Sequence, residues 1–173
     1  MGIAGILFNP NGRITPNQFW RGIIVLVGLQ IIFQVLANYG PAALAGIISL
    51  LGVLIVYPYL CVYGKRLHDA GKSAWWFLLF VLGYVILSII SLMLIPGLSE
   101  FFEEAMTFAT DGDQAALDAL TVEFGRRVMP QALAGMVLIN GLLGFLVARL
   151  ASDPGANEHG PPPGSDQLGE TFT

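Results

Sequence analysis

Long apolar runs without any charged residue alternate with short polar segments along this chain. Three stretches contain no Asp, Glu, Lys or Arg: residues 22–64, 73–99 and 128–148. An apolar run of about 20 residues is long enough to cross the hydrocarbon core of a bilayer as a helix. The first stretch is long enough for two such helices, with Gly40 and Pro41 as the turn between them. The pattern therefore predicts four transmembrane helices, at about residues 20–39, 42–63, 75–95 and 130–150.

The segment between the third and fourth predicted helices has a different pattern. Within residues 98–129, apolar residues recur at helical spacing in two stretches with acidic residues between them, and Asp111 with Gly112 forms a turn. This arrangement is typical of an amphipathic helical hairpin that lies on the membrane or against a partner. The predicted fold class is therefore all-α. Residues 1–150 are expected to form a polytopic four-helix membrane domain with this hairpin outside the bilayer.

The remaining segments are predicted to be irregular. The first 13 residues are interpreted as a loop or an interfacial segment, and residues 64–73 as a polar loop. Pro130 is interpreted as the start of the fourth helix, because proline is well tolerated at the first helical position. The tail, residues 151–173, is rich in Pro, Gly and acidic residues, so it is expected to be extended or mobile, with His159 solvated.

Composition narrows the possible functions. Hydrophobic residues make up 55% of the chain and charged residues 12%, whereas a soluble domain carries about 25% charged residues. This argues against a soluble enzyme, and the net charge of −4 argues against a nucleic-acid partner. The single cysteine, Cys61, allows neither an intrachain disulfide nor a zinc site of paired cysteines. No catalytic residue, cofactor or metal site is predicted.

The basic residues are distributed unevenly between the two sides of the predicted helices. Four spans place both termini on one side. Six of the eight basic residues fall on that side: Arg13, Arg21, Lys65, Arg66, Lys72 and Arg149. The opposite side holds only Arg126 and Arg127, in the acidic hairpin. By the positive-inside rule, both termini are expected in the cytoplasm.

Three polar motifs fall on the side of the termini. The first contains Gly12, Arg13, Phe19 and Trp20. The second contains Arg66, Leu67, His68, Asp69, Gly71, Lys72, Ser73, Trp75 and Trp76. The third contains Gly155, Asn157, Gly160 and Pro161. At these positions the chain resembles the small bacterial inner-membrane proteins of the family called domain of unknown function 805, whose name implies no activity.

The resemblance covers most of the chain, and the second motif is its most specific part. The chain departs from the family pattern in three places. A second basic residue is missing near Pro16, Ala74 stands where glycine is usual, and the hairpin at residues 98–129 is longer than the third loop usual in the family.

The second motif admits two interpretations. As a site, His68 and Asp69 form a titratable pair, and Lys72 with the following serine holds the phosphate of a headgroup or small ligand. In the structural interpretation, Asp69 pairs with Arg66 or Arg13, or caps the third helix. The tryptophans then anchor the chain at the membrane–water interface. The structural interpretation is favoured, because interfacial charges of this kind usually fix topology. A phosphate-binding loop is rejected, since Arg66 stands where that motif needs glycine.

Polar and small side chains also lie within the predicted helices. Gln30 and Gln34 share one face of the first helix, and Asn140 lies in the middle of the fourth. They are expected to form hydrogen bonds between helices, and the alternative is a polar path for a solute. No Asp, Glu, Lys, Arg or His lies at the centre of a span, which disfavours a coupled transporter. Small residues predict close packing of the fourth helix, within the bundle or with a neighbouring subunit: Gly141, Gly144 and Ala148.

Together these features favour a non-enzymatic accessory or scaffold protein of the bacterial inner membrane. Its expected partners are membrane lipids and other membrane-protein subunits, in a larger complex such as a respiratory or other energy-converting one. Two alternatives remain open. One is a small transporter or channel with a polar path at Gln30, Gln34 and Asn140. The other is a sensor of lipid headgroups or of a small ligand at the second motif.

Overall fold

The computed structural model describes residues 1–164, and this part of the chain is helical and contains no strand. Its α-helices are α1 (Ile3–Phe8), α2 (Pro16–Tyr39), α3 (Ala45–Leu54), α4 (Val56–Asp69), α5 (Phe77–Met93), α6 (Leu98–Asp111) and α7 (Gln114–Ala148). Short 3-10 turns, Ala42–Leu44 and Ala74–Trp76, precede α3 and α5.

Four helical stretches of the described chain are long and apolar enough to cross a membrane. They are Pro16–Tyr39, Gly46–Asp69, Ala74–Met93 and Gln114–Ala148. The predicted all-α class with four transmembrane helices is thereby confirmed, and the protein is an integral membrane protein. Many large apolar side chains on α5 are exposed, as expected for a surface that faces lipid.

The first span begins at Pro16, four residues before the predicted boundary. The Thr15 hydroxyl accepts a hydrogen bond from the Gln18 N–H, and the Gln18 side chain accepts one from the Thr15 N–H. This capping box satisfies two backbone donors, and Pro16 suits the first helical position. The helix therefore starts in the polar segment before the membrane.

The second span consists of two helices joined at Ile55, whose backbone stays helical with φ −64° and ψ −17°, and it extends further than predicted. α3 ends at Leu54 and α4 begins at Val56. Pro58 follows, and it has no N–H to donate to the Leu54 carbonyl. α4 continues to Asp69, so residues 64–69 are helical and do not belong to the predicted loop. They stay helical because their charged side chains find partners within the protein.

The hairpin is present, but its second arm is part of the fourth span. α6 and α7 pack together with the Phe101 and Phe124 rings stacked 4.2 Å apart, and Gly112 turns the chain with a φ of 73°. α7 is one helix of 35 residues, so the helix that contains the fourth span does not start at Pro130 as predicted. A proline is tolerated within a membrane helix whose neighbours hold both halves, and α7 packs on α2, α5 and α6.

The tightly packed core lies at the end of the bundle that carries the N-terminus and the start of the tail, here called the terminal end. Buried apolar residues meet there: Ile6, Leu7, Ile14, Phe19, Ile23, Leu26, Val62, Tyr63, Leu67 and Val147. Two of them belong to α1, so the first residues form a helix and not the loop that is one of the two interpretations. The opposite end, here called the hairpin end, is less completely filled and contains a cavity.

Candidate functional site at the terminal end

Asp69, the last residue of α4, is the centre of a buried ionic cluster. Its side chain and those of Arg13 and Arg66 are each 1% exposed. One carboxylate oxygen accepts a hydrogen bond from Arg13 Nε at 3.1 Å. The other accepts from Arg66 Nη1 and from Ser152 Oγ, both at 2.6 Å. Either arginine was a possible partner of Asp69 from the sequence, and both pair with it in this arginine–aspartate cluster (Arg13, Arg66 and Asp69).

Arg66 links the cluster to the end of the fourth span. It precedes Asp69 by three residues on the same face of α4. Its Nη2 donates to the carbonyl oxygens of Ala148, at 3.1 Å, and of Leu150. The last carbonyls of a helix have no partner within the helix, and the helix dipole is negative there. The guanidinium therefore caps α7 and joins it to α4.

Arg13 holds the first residues of the tail. Its Nη1 donates to the Gly155 carbonyl at 2.7 Å and its Nη2 to the Asp153 carbonyl at 2.5 Å. Residues 151–164 are thus packed by their own chain, and the expectation of an extended or mobile tail is wrong for them. Composition misleads because Pro, Gly and Asp also build tight turns when partners are available. Residues 165–173 of the tail lie outside the described residues.

The third motif closes over the last turn of α4. Asn157 Nδ2 donates to the His68 carbonyl at 3.1 Å, and the Asn157 backbone pairs with that of Gly160. His159 is not solvated as predicted, because its ring stacks on His68 with 3.7 Å between centroids. The first motif joins here too, since His68 Nδ1 lies 3.2 Å from the Gly12 carbonyl oxygen. Residues of all three motifs therefore meet at one place.

Asp153 fixes the turn that connects α7 to the third motif. Its carboxylate accepts hydrogen bonds from the Gly155 N–H at 3.1 Å and from Asn157 Nδ2 at 3.2 Å. These two bonds, with the nearby positive charge of Arg13, lower the pKa of Asp153 below its usual value. The carboxylate that holds the turn is therefore ionised at neutral pH.

Lys65 ties α1 to α4 beside the arginine–aspartate cluster. Its Nζ donates to the carbonyl oxygens of Gly5 and Ile6 at 2.5 and 2.7 Å. The ammonium therefore satisfies carbonyls in the last turn of α1. The sequence indicates only the charge of Lys65, since no local pattern pairs it with backbone about 60 residues away.

A tight turn ends α4 within the second motif. Gly71 has a φ of +65°, a conformation that glycine adopts readily. The N–H groups of Gly71 and Lys72 donate to the carbonyls of His68 and Leu67. This is the Schellman arrangement, which satisfies the carbonyls at a helix end. Gly71 thus has a structural role at the point where the chain turns towards α5.

The part of the second motif after this turn is accessible. Ser73 Oγ accepts a hydrogen bond from the Trp75 N–H at 3.4 Å and starts the 3-10 turn before α5. Lys72 Nζ lies 5.2 Å from the centroid of the Trp76 ring, within the range of a cation–π contact. Trp75 and Trp76 are exposed, as is Pro161 of the third motif. Such a surface suits the headgroup region of a bilayer.

The small-residue face of α7 serves packing inside the bundle at two of its three positions. A Cβ atom on Gly144 would lie 3.2 Å from the Trp20 ring, which belongs to α2. Ala148 packs against the buried core, in which Phe19 is fully enclosed. Gly141 differs, because no atom lies within 4 Å of the position of its missing Cβ. The predicted close packing therefore joins α7 to α2.

Gln30 and Asn140 are brought together by a residue that sequence reasoning missed. The Tyr59 hydroxyl lies 2.8 Å from Gln30 Oε1 and 3.0 Å from Asn140 Oδ1. Its single proton serves one acceptor at a time. Asn140 Nδ2 also donates to the Met136 carbonyl at 2.9 Å. Gln34 does not join this group and lines a cavity. A tyrosine within an apolar run carries no local signal for such a contact.

The terminal-end site is arranged to hold parts of the chain together. The donors of Arg13 and Arg66 are aimed at one carboxylate and at carbonyls of the tail and α7. Within the described residues, no group of three His, Cys, Asp or Glu side chains is placed to hold a metal ion. Chemically, the arrangement neutralises buried charge and fixes α4, α7 and the tail to one another.

Comparison with known proteins places the chain in a family. The model of the family described as "Protein of unknown function (DUF805)" matches residues 7–101, more than half of the chain. The match contains the first and second motifs and the first three spans, and the third motif lies beyond it. No curated protein and no solved structure matches the chain. This integral membrane protein therefore belongs to the DUF805 family of proteins of unknown function.

Proposed function

We propose that the protein is a non-enzymatic accessory or scaffold protein of the bacterial inner membrane, with both termini in the cytoplasm. The observation that carries the proposal is an apolar strip on α6, formed by Phe102 and Met106, which are 54% and 68% exposed. The two side chains are four residues apart and lie on one face of the helix. Exposed apolar side chains that adjoin one another outside a bilayer favour contact with another protein.

The length of α7 indicates that the hairpin stands outside the hydrocarbon. Its 35 residues extend over about 52 Å at the helical rise, whereas the hydrocarbon core is about 30 Å thick. Its charged residues all precede residue 128, and the last 21 residues carry none. About four turns of α7 therefore project from the membrane, and α6 packs along them.

The charge of the hairpin indicates the chemistry of the partner. Residues 98–129 contain seven acidic and two basic side chains. An anionic lipid surface repels such a segment. A protein surface with an apolar patch and a rim of Lys and Arg complements both the apolar strip and its acidic surroundings.

The terminal end supports the same role. Three basic side chains donate hydrogen bonds to other groups of the chain: Arg13, Lys65 and Arg66. These cations therefore do not offer a site to a headgroup or a small anion. This weighs against the part of the sensor alternative that uses Arg13 and Arg66. The Lys72 side chain, which that alternative also uses, forms only a cation–π contact with Trp76 among the described residues and stays available. The proposed orientation rests on the excess of basic residues at this end and of acidic residues on the hairpin.

Photocrosslinking in native membranes tests the proposal. A benzophenone amino acid at Met106 is expected to crosslink a defined membrane protein, and the same group at exposed Glu104, off the apolar strip, is the matched control. The captured protein should also co-purify with the wild type in mild detergent and be lost from a Met106→Asp variant. Crosslinks to lipid alone, or the same products from both positions, would contradict the proposal.

A further inference from the structure

We infer that the hairpin end of the bundle holds a binding site for an uncharged molecule of the bilayer that carries carbonyl or hydroxyl groups on an apolar body. The site consists of two adjoining cavities between the spans. The first has a volume of about 470 Å³ and the second about 300 Å³. Each is within or near the size of pockets that take small molecules. They share Gln30, Gly52, Ile55 and Tyr84.

The larger cavity lies among all four spans and has polar walls. Its polar lining residues are Gln30, Gln34, Ser49, Tyr84, Ser88 and Ser91. No charged side chain is among the lining residues of either cavity in the described chain. Amides and hydroxyls both donate and accept hydrogen bonds. The cavity therefore suits a neutral ligand with polar oxygen atoms better than an ion.

Gln34 provides a second indication of a ligand. Its side chain is exposed on the bundle, within a predicted membrane span, and has no hydrogen-bond partner among the described residues. A polar group without a partner is costly in the hydrocarbon region. Because Gln34 lines the cavity, an occupant with a carbonyl or hydroxyl group would satisfy its amide.

The junction of α3 and α4 in the second span lies against the same space. Gly52 and Ile55 line both cavities, and α3 ends between them at Leu54. The Leu54 carbonyl lacks its usual helical donor, because Pro58 has no N–H. A backbone carbonyl without its helical partner is costly at membrane depth unless protein or a cavity occupant satisfies it.

The smaller cavity reaches the packed core of the terminal end. Its walls include the aromatic residues Tyr59, Tyr63, Phe77, Phe80 and Tyr84. Tyr63 and Phe77 also belong to the buried core. A packed core beside the cavity favours binding over a path for solutes across the membrane. Its aromatic walls suit a flat ring or a slender chain.

Two kinds of membrane molecule share this chemistry, the ring of a lipid-soluble quinone and the ester carbonyls of a neutral glycerolipid. The test uses the full-length protein in phosphatidylcholine nanodiscs. Binding of decyl-benzoquinone and of dioctanoylglycerol is measured by equilibrium titration, with anionic dioctanoyl-phosphatidylglycerol as the contrasting probe. Saturable binding of either neutral probe in preference to the anionic one is expected, and whichever probe binds identifies the source.

Variants locate the binding. The affinity for the neutral probe that binds should fall about three- to tenfold in Gln34→Leu and in Tyr84→Phe. This is the effect of one lost hydrogen bond. The matched control is Tyr57→Phe, because the Tyr57 hydroxyl bonds the Phe8 carbonyl and lines neither cavity. Folding of each variant is checked by its thermal midpoint, and Tyr84→Phe remains informative if Gln34→Leu does not fold. The inference is overturned if neither neutral probe saturates, or if the cavity variants bind as well as the control.

Discussion

At the scale of single residues, Asp69 decides how the terminal end is held together. It receives donors from Arg13 before α2, from Arg66 within α4 and from Ser152 after α7. Buried charges are costly unless they are paired and hydrogen bonded. The Asp69 carboxylate is paired and hydrogen bonded with both arginines at once. The arginines in turn donate to carbonyl oxygens at the end of α7 and in the tail that have no other partner within their own segment.

Removal of this charge should destabilise the protein strongly. Asp69→Asn leaves two buried guanidinium groups without their counter-ion, and a loss of about 3–5 kcal/mol in the free energy of unfolding is expected. The thermal midpoint in detergent measures it. Asp118→Asn is the control, because Asp118 lies on the exposed hairpin with only a local hydrogen bond from Gln114. Equal midpoints for the two variants would show that the cluster does not stabilise the fold.

The lowered pKa of Asp153 predicts how the tail responds to acid. A group whose pKa is lower in the folded protein contributes stability above its unfolded value, near 3.8, and this contribution is lost as the pH falls through the lowered value. The turn at Asp153 should therefore be protected at neutral pH and open in strong acid, as measured by hydrogen exchange of the Gly155 amide. Asp153→Asn should exchange faster at neutral pH, and identical exchange in both proteins would argue against this role.

At the scale of elements, α7 is the helix on which the others are assembled. It packs on α2 through Gly144, on α5 across the bundle and on α6 outside the spans. Its end is capped by Arg66 from α4. One long helix thus connects the hairpin, the membrane domain and the tail.

The two glycines on α7 should respond differently to the same substitution. Gly144→Ala places a methyl group about 3.2 Å from the Trp20 ring, so overpacking should offset the gain in helix propensity, which is about 1 kcal/mol. Gly141→Ala meets open space and should stabilise the helix by about that amount. Thermal midpoints in detergent should therefore be lower for Gly144→Ala than for Gly141→Ala. A higher midpoint for Gly144→Ala than for Gly141→Ala would indicate that α2 and α7 do not pack together at Gly144.

The continuity of α7 through Pro130 can be tested in the same way. A proline inside a helix removes a backbone hydrogen bond and costs about 3 kcal/mol or more, so Pro130→Ala should raise the free energy of unfolding by about 1–3 kcal/mol. Slower hydrogen exchange on both sides of position 130 should accompany it. A proline at the first position of a helix has no such cost. An unchanged thermal midpoint for Pro130→Ala would therefore indicate that the helix starts at Pro130.

At the scale of the whole molecule, the two ends of the bundle differ. The terminal end is closed by a packed core and by buried ion pairs, and the hairpin end holds a cavity and a projecting pair of helices. Stability is therefore concentrated at one end. The cavity among the four spans and the projecting hairpin lie towards the other.

The proposed orientation predicts which end is reached from each side of the membrane. In a Cys61→Ala background, Glu104→Cys on the hairpin, an exposed position off the apolar strip, should react with a membrane-impermeant maleimide in intact spheroplasts. Glu158→Cys in the tail, whose side chain is 80% exposed, should react only after permeabilisation. Labelling in the opposite order would reverse the orientation and with it the cytoplasmic placement of the termini.

The sequence by itself determined the number of spans, the hairpin turn and the family. Each of these depends on local information: the length of charge-free runs, the turn at Asp111 and Gly112, and motifs of adjacent residues. It also indicated that Asp69 would pair with a neighbouring arginine. It misplaced the limits of α4 and α7, because charged residues and a proline usually mark helix ends.

Tertiary structure decided what the polar residues do. Arg13 meets Asp69 across 56 positions, and Arg66 meets the Leu150 carbonyl across 84. Tyr59 joins Gln30 to Asn140 only because three spans converge. Periodicity along one helix cannot encode such distant partners. They form because charges and hydrogen-bonding groups withdrawn from water must be satisfied by whatever part of the chain the packing brings beside them.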